Sequence, residues 1–375
     1  MNMIYADNAA TTKLDIDAFE AMKPYLLSDY GNVSQPYSFS RTAKKALKDS
    51  RIIIAECIGA LPEEIFFTSG GTESDNWAIK GVMLLQDTSH NVITSEFEHH
   101  AILHTCEAIE KLSHPVMYLH PTKMGFVTPD ILNTVITDKT KLVSIMMVNN
   151  EIGTIQPIKE LCRISHKYGA LFHTDAVQAV GHIQVDVKDL GIDMLSCSAH
   201  KFNGPKGIGF LYIRKGTKTE SYFDGGAQEY GMRAGTENIA SIVGMAEALK
   251  KNVKDIETNQ AHLHMLERII LDSLTATDID YKRNGKEPYV PGNLSLSFKN
   301  WEGELLLHRL DLMGIMVSTG SACDSKNTQV SHVLRAMEVD EDYALGTIRI
   351  SLGRDNTKDE VEKIAKSLIK ILMGY

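Results

Sequence analysis

Two charged side chains, Lys201 and Asp175, occur where a folded chain could use them for chemistry. Lys201 ends the run Ser198-Ala-His-Lys201, which follows an apolar, strand-like segment and precedes a turn rich in glycine and proline. An amine held at the end of a strand can form a Schiff base with an aldehyde cofactor. Asp175 follows another apolar run, and a carboxylate beside a pyridine nitrogen keeps that nitrogen protonated, so that the ring becomes an electron sink. The pair predicts carbanion chemistry at a substrate α-carbon, although a lysine near glycines is by itself usually a solvated surface residue.

A phosphate site is predicted at Ser69-Gly-Gly-Thr72, between a strand-like run and a helical pattern that begins at Ala78. The glycines, Gly71 among them, allow close backbone approach. The hydroxyls of Thr72 and Ser74 lie beside free amides at a helix start, where a dianion is favoured. An ordinary capped helix would use the same residues. Together with the lysine site, this cradle resembles that of an enzyme that uses pyridoxal 5'-phosphate.

Three further segments offer contacts to such a cofactor. His99 stands where a strand-like run ends and a helix opens, so it could lie against a flat ring and move protons, or it could be a capping or surface histidine. Asn150 follows another apolar run and could donate a hydrogen bond to a phenolic oxygen, or simply form a turn. The polar loop Gly231–Thr236 suits a phosphate, across a subunit boundary, or is a plain surface loop.

A cysteine and an arginine near the C-terminus could act on a substrate. Cys323 stands among small residues in the segment 318–325, which has no apolar periodicity. An exposed thiol there could become a thiolate and reach a substrate held elsewhere, whereas the other four cysteines are expected to be buried like small hydrophobes. Arg349 lies in the alternating run Thr347–Ser351, where its guanidinium could clamp a substrate carboxylate or form an edge salt bridge.

The composition argues against several partners and compartments. The chain has 375 residues, of which 43% are hydrophobic and 23% charged, typical of a globular protein long enough for two domains. A net charge of −9 disfavours nucleic acid and anionic membranes as main partners. The first charge, Asp7, comes early and the longest apolar runs are strand-sized, so neither a signal peptide nor a membrane span is expected. Five cysteines without a CxxC pair argue against disulfides and a metal site. A cytoplasmic location is predicted.

The alternation of apolar runs and helical patterns predicts an α/β fold with a mostly parallel sheet, whose strand ends carry the ligand groups. The run Ile208–Ile213 is predicted to return antiparallel as a hairpin. A long helical pattern, Ile239–Asp272, then leads to a second unit that closes with the helix Lys358–Leu372. The predicted strands are residues 65–68, 91–95, 116–119, 142–148, 171–174, 194–198 and 210–213, then 293–298, 315–318 and 347–351.

These motifs occur together in the order found in the cysteine desulfurases, and the chain resembles that group of the class V aminotransferase family almost from end to end. The matching segments are Tyr5–Thr12, Thr68–Asn76, Glu98-His99, Val148–Gly153, Asp175 with Gln178, Ser198–Lys201, Arg233–Thr236, Ser321-Ala-Cys323 and Arg349. The resemblance implies the fold type I of pyridoxal-phosphate enzymes. It implies a large cofactor-binding domain, residues 15–256, with a mostly parallel seven-stranded sheet, and a smaller α+β domain, residues 1–14 and 257–375, that carries the cysteine loop.

The resemblance also implies a role for each matching residue. Lys201 would hold the cofactor, Asp175 would face the pyridine nitrogen, and the ring would stack on His99. The catalytic residues would be Cys323, Lys201 and His99. The cofactor-binding residues would be Gly71, Thr72, His99, Asn150, Asp175, Gln178, Ser198, His200, Lys201 and Thr236, the last of them supplied by the other subunit of a homodimer. The substrate-binding residues would be Arg349, Asn32 and Asn150.

The reaction implied by the resemblance is the removal of sulfur from L-cysteine. Lys201, freed by the substrate, would take the α-proton, and Lys201 or His99 would return a proton. The thiolate of Cys323, on a loop that swings between the site and an acceptor, would attack the substrate sulfur. L-Alanine would leave, and the persulfide on Cys323 would pass its sulfur to an acceptor protein for iron-sulfur cluster, thio-cofactor or tRNA thiolation chemistry.

The chain departs from the family pattern at Gly31–Ser40, where Asn32 and Ser34 are retained but a proline, a second serine, a histidine and a glycine are replaced. These changes leave substrate preference open, and the short ending at Tyr375 leaves open which acceptor is used. The alternatives are a selenocysteine lyase, another class V lyase or aminotransferase, and a non-catalytic scaffold that binds the cofactor. A nucleotide-binding loop is disfavoured, because no lysine follows the glycines near Ser69 as a P-loop requires.

Overall fold

The computed structural model describes residues 3–319 and 330–374. Cys323, with the neighbouring Ser321 and Ala322, lies outside the described residues. The fold reported below is that of the described part.

The strands belong to three sheets of two, three and seven strands. Their bounds are β1 Ile4–Tyr5, β2 Ile65–Thr68, β3 Asn91–Ser95, β4 Val116–Leu119, β5 Thr140–Ser144, β6 Leu171–Asp175, β7 Met194–Ser198, β8 Gly209–Ile213, β9 Tyr281–Arg283, β10 Asn293–Phe298, β11 Ile315–Met316 and β12 Thr347–Ser351.

The helices cover both faces of the large sheet and fill the C-terminal part. Their bounds are α1 Ile16–Leu27, α2 Arg41–Cys57, α3 Gly71–Met83, α4 His100–Lys111, α5 Pro129–Asn133, α6 Ile158–Lys167, α7 Val187–Leu190, α8 Ile239–Lys254, α9 Ile256–Thr275, α10 Gly303–Leu312, α11 His332–Ala336, α12 Glu341–Ala344 and α13 Lys358–Leu372. No helix among the described residues is long and apolar enough to cross a bilayer.

The seven-stranded sheet has the order β2-β8-β7-β6-β5-β3-β4. Strands β3 to β7 run parallel, and β8 is antiparallel to both of its neighbours, β7 and β2. Every residue of β2, β3, β7 and β8 is buried, because helices cover both faces of the sheet. The predicted α/β class, the mostly parallel sheet and the hairpin formed by β8 are confirmed.

Several predicted elements differ in their bounds. The strand predicted over 315–318 covers only Ile315–Met316, and those predicted over 171–174 and 210–213 are each one residue longer. The run 142–148 forms a strand over 140–144, after which residues 145–148 stay buried without continuing the strand. The helix expected to begin at Ala78 begins seven residues earlier, at Gly71. The long pattern Ile239–Asp272 is two helices, α8 and α9, interrupted at Asp255.

The hydrophobic core has a separate cluster in the C-terminal part, between the three-stranded sheet and the helices α9, α10 and α13. It takes Ile4 and Ala6 from the N-terminal segment, where β1 pairs with β11, and continues from Leu263 to Ile371. Val333, however, packs with neighbouring residues of α11 into the cluster of the large sheet. The division at residues 15 and 257 stays a prediction. Val333 and its neighbours follow residue 257 in the sequence, yet they pack into the core of the large sheet.

Candidate active site

A cavity of about 700 Å³ lies at the carboxyl ends of the parallel strands, where open α/β sheets usually place ligands. Residues from the N-terminal segment, from the loops after β2, β3, β5, β6 and β7, and from β12 form its wall. Most of the predicted site residues are among them: Gly71, Thr72, His99, Asn150, Asp175, Gln178, Ser198, His200, Lys201 and Arg349.

Lys201 reaches the cavity from a short 3-10 turn, Ala199–Lys201, that directly follows β7. Its Nζ donates hydrogen bonds to the carbonyl oxygens of Ala9, at 2.6 Å, and Ala10, at 2.9 Å. The side chain of Gln178 donates to the same oxygen of Ala9, at 2.9 Å. The amine is therefore held at the cavity wall by the N-terminal segment.

Asp175 is the last residue of β6 and is 6% exposed. Its Oδ1 accepts a hydrogen bond of 2.9 Å from the backbone N–H of Val177, which fixes the direction of the carboxylate. Burial raises its pKa, while the nearby His99 ring, the N–H of Val177 and the charge of Lys201 lower it in part. A cationic ring nitrogen placed against Asp175 would favour its charged form further.

His99 caps the N-terminus of α4 and presents its ring to the cavity. Its Nδ1 accepts a hydrogen bond of 3.1 Å from the N–H of Ala101, so this nitrogen carries no proton. Burial lowers the pKa of the imidazole, and the charge of Lys201 lowers it further, against the opposing effect of Asp175. A neutral ring with its remaining proton on Nε2 results. Such a ring can pack on a flat cofactor and carry a proton.

The phosphate cradle forms where β2 meets α3. Gly70 has a φ of +150°, a conformation that favours glycine, and it offers no side chain to cap the helix. A Cβ at Gly71 would lie 2.7 Å from Cγ2 of Val177, so a larger residue would not fit there. Ser198 lies 5% exposed beside these glycines. The uncapped amides of α3 and the hydroxyl of Ser198 thus form an anion site.

His200 completes the wall on this side. Its Nδ1 is 3.1 Å from Oγ1 of Thr11, and burial, together with the charge of Lys201, lowers its pKa to about 4. His200 is therefore neutral near pH 7 and can only contribute a hydrogen bond, not a charge, to an anion.

Arg349 lies in β12 and is 3% exposed. Its Nη1 donates to the backbone oxygen of Asn150, at 2.9 Å, and its Nη2 to Oδ1 of Asp7, at 2.8 Å. Its Nε has no hydrogen-bond partner among residues 3–319 and 330–374. The two Nη atoms of this buried guanidinium are held by hydrogen bonds, while its Nε–H has no acceptor among these residues. The group therefore suits the binding of a substrate carboxylate.

Two predicted residues lie away from this cavity. Asn32 is exposed in the loop before α2 and is not part of the wall. Thr236 lines a separate cavity of about 170 Å³, which shares Ser69 and Gly207 with the main one. Within one chain, Thr236 is therefore on the far side of the cradle, and the structure does not bring it to the other site residues.

Several buried ionisable residues near the site had no role assigned from the sequence. Glu98 is fully buried, accepting hydrogen bonds from Ser95 Oγ, at 2.6 Å, and from the N–H of Met146, at 3.0 Å. His173, also fully buried, lies two residues before Asp175 on the same face of β6. Asp75 and Glu98 belonged to matching segments without an assigned role. Of the three residues, only His173 carried a local signal, as an ionisable residue in an otherwise apolar run.

We expect Glu98 to make the stability of the protein depend on pH. Burial raises its pKa from the ordinary 4.5 to about 8, so between these pH values the folded protein holds a proton that the unfolded chain has released. The stabilisation is complete below the ordinary value and is lost as pH rises through about 8. The free energy of unfolding should fall by up to about 1.4 kcal/mol per pH unit in this interval.

Denaturant unfolding of the cofactor-free protein at a series of pH values would check this. Glu98→Gln cannot ionise and should flatten the slope, whereas Glu107→Gln, at an exposed position of α4, should keep the wild-type slope. Equal slopes in all three proteins would contradict the expectation.

The wall of the cavity fits pyridoxal phosphate in four respects. It has an amine on Lys201 for the aldehyde and a buried carboxylate on Asp175 for the pyridine nitrogen. It has an uncapped helix start with glycines for the phosphate. His99 supplies a neutral imidazole on the same wall, with its ring nitrogen and an Asp175 oxygen within 4.8 Å of each other.

Comparison with known proteins gives one consistent result. Residues 4–364 match the family described as aminotransferase class-V. A cysteine desulfurase IscS from Dictyoglomus turgidum is 46% identical over 98% of this chain and 94% of its own, and one from Methanosarcina thermophila is 45% identical over 98% and 92%. A solved NifS-like protein superposes with a TM-score of 0.94 at 36% identity, covering 100% of both chains. The cysteine desulfurase of Thermococcus onnurineus gives 0.88 at 27% identity, covering 100% of this chain and 95% of its own.

Proposed function

The chain belongs to the class V aminotransferase family, and from this premise we propose how the residues of its cavity carry out the desulfuration of L-cysteine. The protein is a cysteine desulfurase that depends on pyridoxal phosphate and transfers sulfur to an acceptor. The single observation that supports the assignment of residues is the meeting of Lys201 and Asp175 in one cavity, with an anion cradle at its edge.

The cofactor, when bound, supplies an electron sink for a carbanion at the substrate α-carbon. Lys201 would hold the cofactor through Nζ, and the same amine, once displaced by the substrate, would be the base that removes the α-proton. Asp175 stabilises positive charge on the ring nitrogen, and its fixed hydrogen bond from Val177 keeps it in place. His99, neutral and with a proton on Nε2, packs on the ring and returns a proton.

The remaining cofactor contacts are proposed from the same wall. Gln178 and Asn150 would bond the phenolic oxygen, and Gly71, Thr72, Ser198 and His200 would hold the phosphate. Thr236 reaches the phosphate of the other subunit in a homodimer, which agrees with its position outside the main cavity of its own chain. Asn32 stays a predicted substrate residue, exposed in its own chain.

The sulfur step is assigned to Cys323. Its thiolate attacks the sulfur of the bound substrate, so that a sulfur–sulfur bond forms while the carbon–sulfur bond breaks. The electron pair of the broken bond stays on the substrate carbon. The remaining part of the substrate takes up protons and leaves as L-alanine. The persulfide on Cys323 is then passed to an acceptor, for which an iron-sulfur scaffold or a tRNA thiolation enzyme is proposed. A cytoplasmic location remains a prediction.

We expect Arg349→Lys to raise the KM for L-cysteine about 10–100-fold with a smaller change in kcat, because lysine keeps the charge but loses the fork that holds the carboxylate. The comparison with cysteamine, which lacks the carboxylate, gives the control, since its slow turnover should be the same in both proteins. Steady-state kinetics measures both. An unchanged KM for L-cysteine would remove Arg349 from the substrate site.

The function itself is tested by supplying the purified protein with pyridoxal phosphate and L-cysteine and a reducing agent. Sulfide and alanine should appear in equal yield, and no product should form without the cofactor. L-Selenocysteine offered at the same concentration separates a selenocysteine lyase, which the relatives do not favour, from a cysteine desulfurase. Alanine without sulfide, or pyruvate in place of alanine, would contradict the proposal.

A further inference from the structure

Asp75 is a buried carboxyl group in the cofactor cavity, and none of the roles proposed above uses it. It lies in the second turn of α3, is 1% exposed and forms part of the cavity wall. Its Oδ1 has no hydrogen-bond partner in the described part of the chain. A buried polar atom without a partner is unfavourable, so its presence on this wall points to a role toward the cavity.

Asp75 lies among ionisable groups from three neighbouring segments. A carboxylate oxygen of Asp75, one of Asp175 and a ring nitrogen of His99 all lie within 4.8 Å of one another. Glu98, in the loop before α4, adds a third buried carboxyl group to the same region. Asp75 thus belongs to a cluster in which carboxyl groups outnumber the cations.

His173 is close to Asp75 but does not neutralise it. Its Nε2 is 3.7 Å from Oδ1 of Asp75, yet burial lowers its pKa to about 3, so the ring is neutral. Its two nitrogens are engaged with the hydroxyls of Ser144 and Ser196, both at 2.9 Å. His173 supports this region as a hydrogen-bonded, uncharged group.

Two buried carboxylates this close repel each other, so the pair holds a proton. Asp175 is favoured as the anion by the N–H of Val177 and by the charge of Lys201. For Asp75, burial and the charge of Asp175 raise the pKa well above its usual range, against a hydrogen bond from Ser196. The proton therefore belongs on Asp75.

We propose that Asp75 is a positioning residue that stays neutral and presents its O–H toward the carboxylate of Asp175. A neutral Asp75 leaves one negative charge at this end of the cavity and orients the Asp175 carboxylate toward a ring nitrogen. The orienting role of Asp75 rests on the proposed function, because it takes Asp175 as the partner of the cofactor. Because this role needs only a neutral hydrogen-bond donor, asparagine should substitute functionally for Asp75, whereas an apolar residue should not.

The protonation state can be tested without cofactor. In the cofactor-free protein with isotopically labelled aspartate carboxyl groups, infrared spectroscopy at neutral pH should show the carbonyl stretch of a neutral aspartic acid. Asp75→Asn should remove it. Glu98→Gln is the matched control, because it removes a buried carboxyl group that carries no label and should leave the labelled band. A labelled band that appears at acidic pH alone would overturn the proposal.

The positioning role is tested in the loaded protein. Asp75→Asn should keep the dissociation constant of pyridoxal phosphate within about threefold of wild type, whereas Asp75→Leu should raise it at least about tenfold, as expected for a lost hydrogen bond to a charged group. The pH midpoint of the visible absorption of the bound cofactor should follow the same order, unchanged in the first variant and displaced in the second.

Equal weakening in Asp75→Asn and Asp75→Leu would overturn the proposal, because it would show that the site needs an ionised carboxylate. If Asp75→Leu does not fold, Asp75→Asn and the infrared band decide. A wild-type protein that fails to bind pyridoxal phosphate would contradict the proposed function, while the infrared result would stand on its own.

Discussion

Lys201→Ala is expected to lower the turnover of L-cysteine by at least about 10³-fold, because it removes both the covalent anchor and the base for the α-proton. The fold should persist, since the side chain is half-buried and its hydrogen bonds go to two backbone carbonyls of the N-terminal segment. Single-turnover assays of alanine formation measure the loss. The visible absorption of the cofactor, added at saturating concentration, should lose the band that depends on attachment to the lysine.

Lys215→Ala is the matched control for this loss. The side chain of Lys215 is 72% exposed and pairs with Glu63 on the surface, so its removal should leave turnover and the visible spectrum unchanged. An added primary amine of small size should restore part of the activity of Lys201→Ala, because the cavity left by the side chain can admit it. Turnover near the wild-type rate in Lys201→Ala would contradict the assignment of the anchor.

Cys323→Ser is expected to reduce the release of sulfide to background while the cofactor still binds and its absorption still responds to L-cysteine. The hydroxyl of serine is a far weaker nucleophile than a thiolate and cannot store sulfur as a persulfide. Intact-mass measurement after exposure to L-cysteine should find the added mass of one sulfur atom in the wild-type protein and not in the variant.

Cys57→Ser is the control here, because Cys57 is partly accessible whereas Cys106, Cys162 and Cys197 are buried. Burial raises the pKa of the Cys57 thiol to about 11, so it is protonated near neutral pH and a poor nucleophile. Cys57→Ser should keep the added sulfur and the activity. Persulfide that remains in Cys323→Ser would place the acceptor thiol elsewhere in the chain.

The elements that position the site were predictable where each residue type served one purpose. The strands that end at Ser95 and Ser198 have the predicted bounds, because their runs are apolar on both faces and end at polar residues. The strand predicted over 142–148 ends at Ser144, because the N–H of Met146 bonds the carboxyl group of Glu98 and no longer a neighbouring strand. On the other side, the N–H groups of Ile145 and Met147 still bond backbone oxygens of β6.

The start of α3 was predicted too late for a related reason. Glu73, Ser74 and Asp75 are polar yet buried, so they interrupt the apolar periodicity by which a helix is recognised. The break at Asp255 between α8 and α9 carries no glycine or proline that would mark it. Polar residues that line the site therefore interrupt the apolar pattern of the helix to which they belong.

The residues of the candidate site were predictable from the sequence, but their protonation states were not. Lys201, Asp175 and His99 follow strand ends, and the parallel order of those strands brings them together. The buried state of Glu98, and with it a pKa of about 8, depends on contacts from distant parts of the chain and leaves no local pattern. Thr236 and Asn32 lie outside the main cavity of their own chain, so their assigned roles stay predictions.

The hydrogen bonds from Lys201 to the carbonyls of Ala9 and Ala10 have a practical consequence for handling the protein. The segment that carries these carbonyls continues directly from β1, whose pairing with β11 anchors it in the C-terminal cluster. A purification tag at this end of the chain is expected to disturb these hydrogen bonds, because only a few residues separate β1 from Ala9. Fusions for quantitative enzymology are therefore better attached after α13, which packs in the same C-terminal cluster but has no residue in the cavity wall.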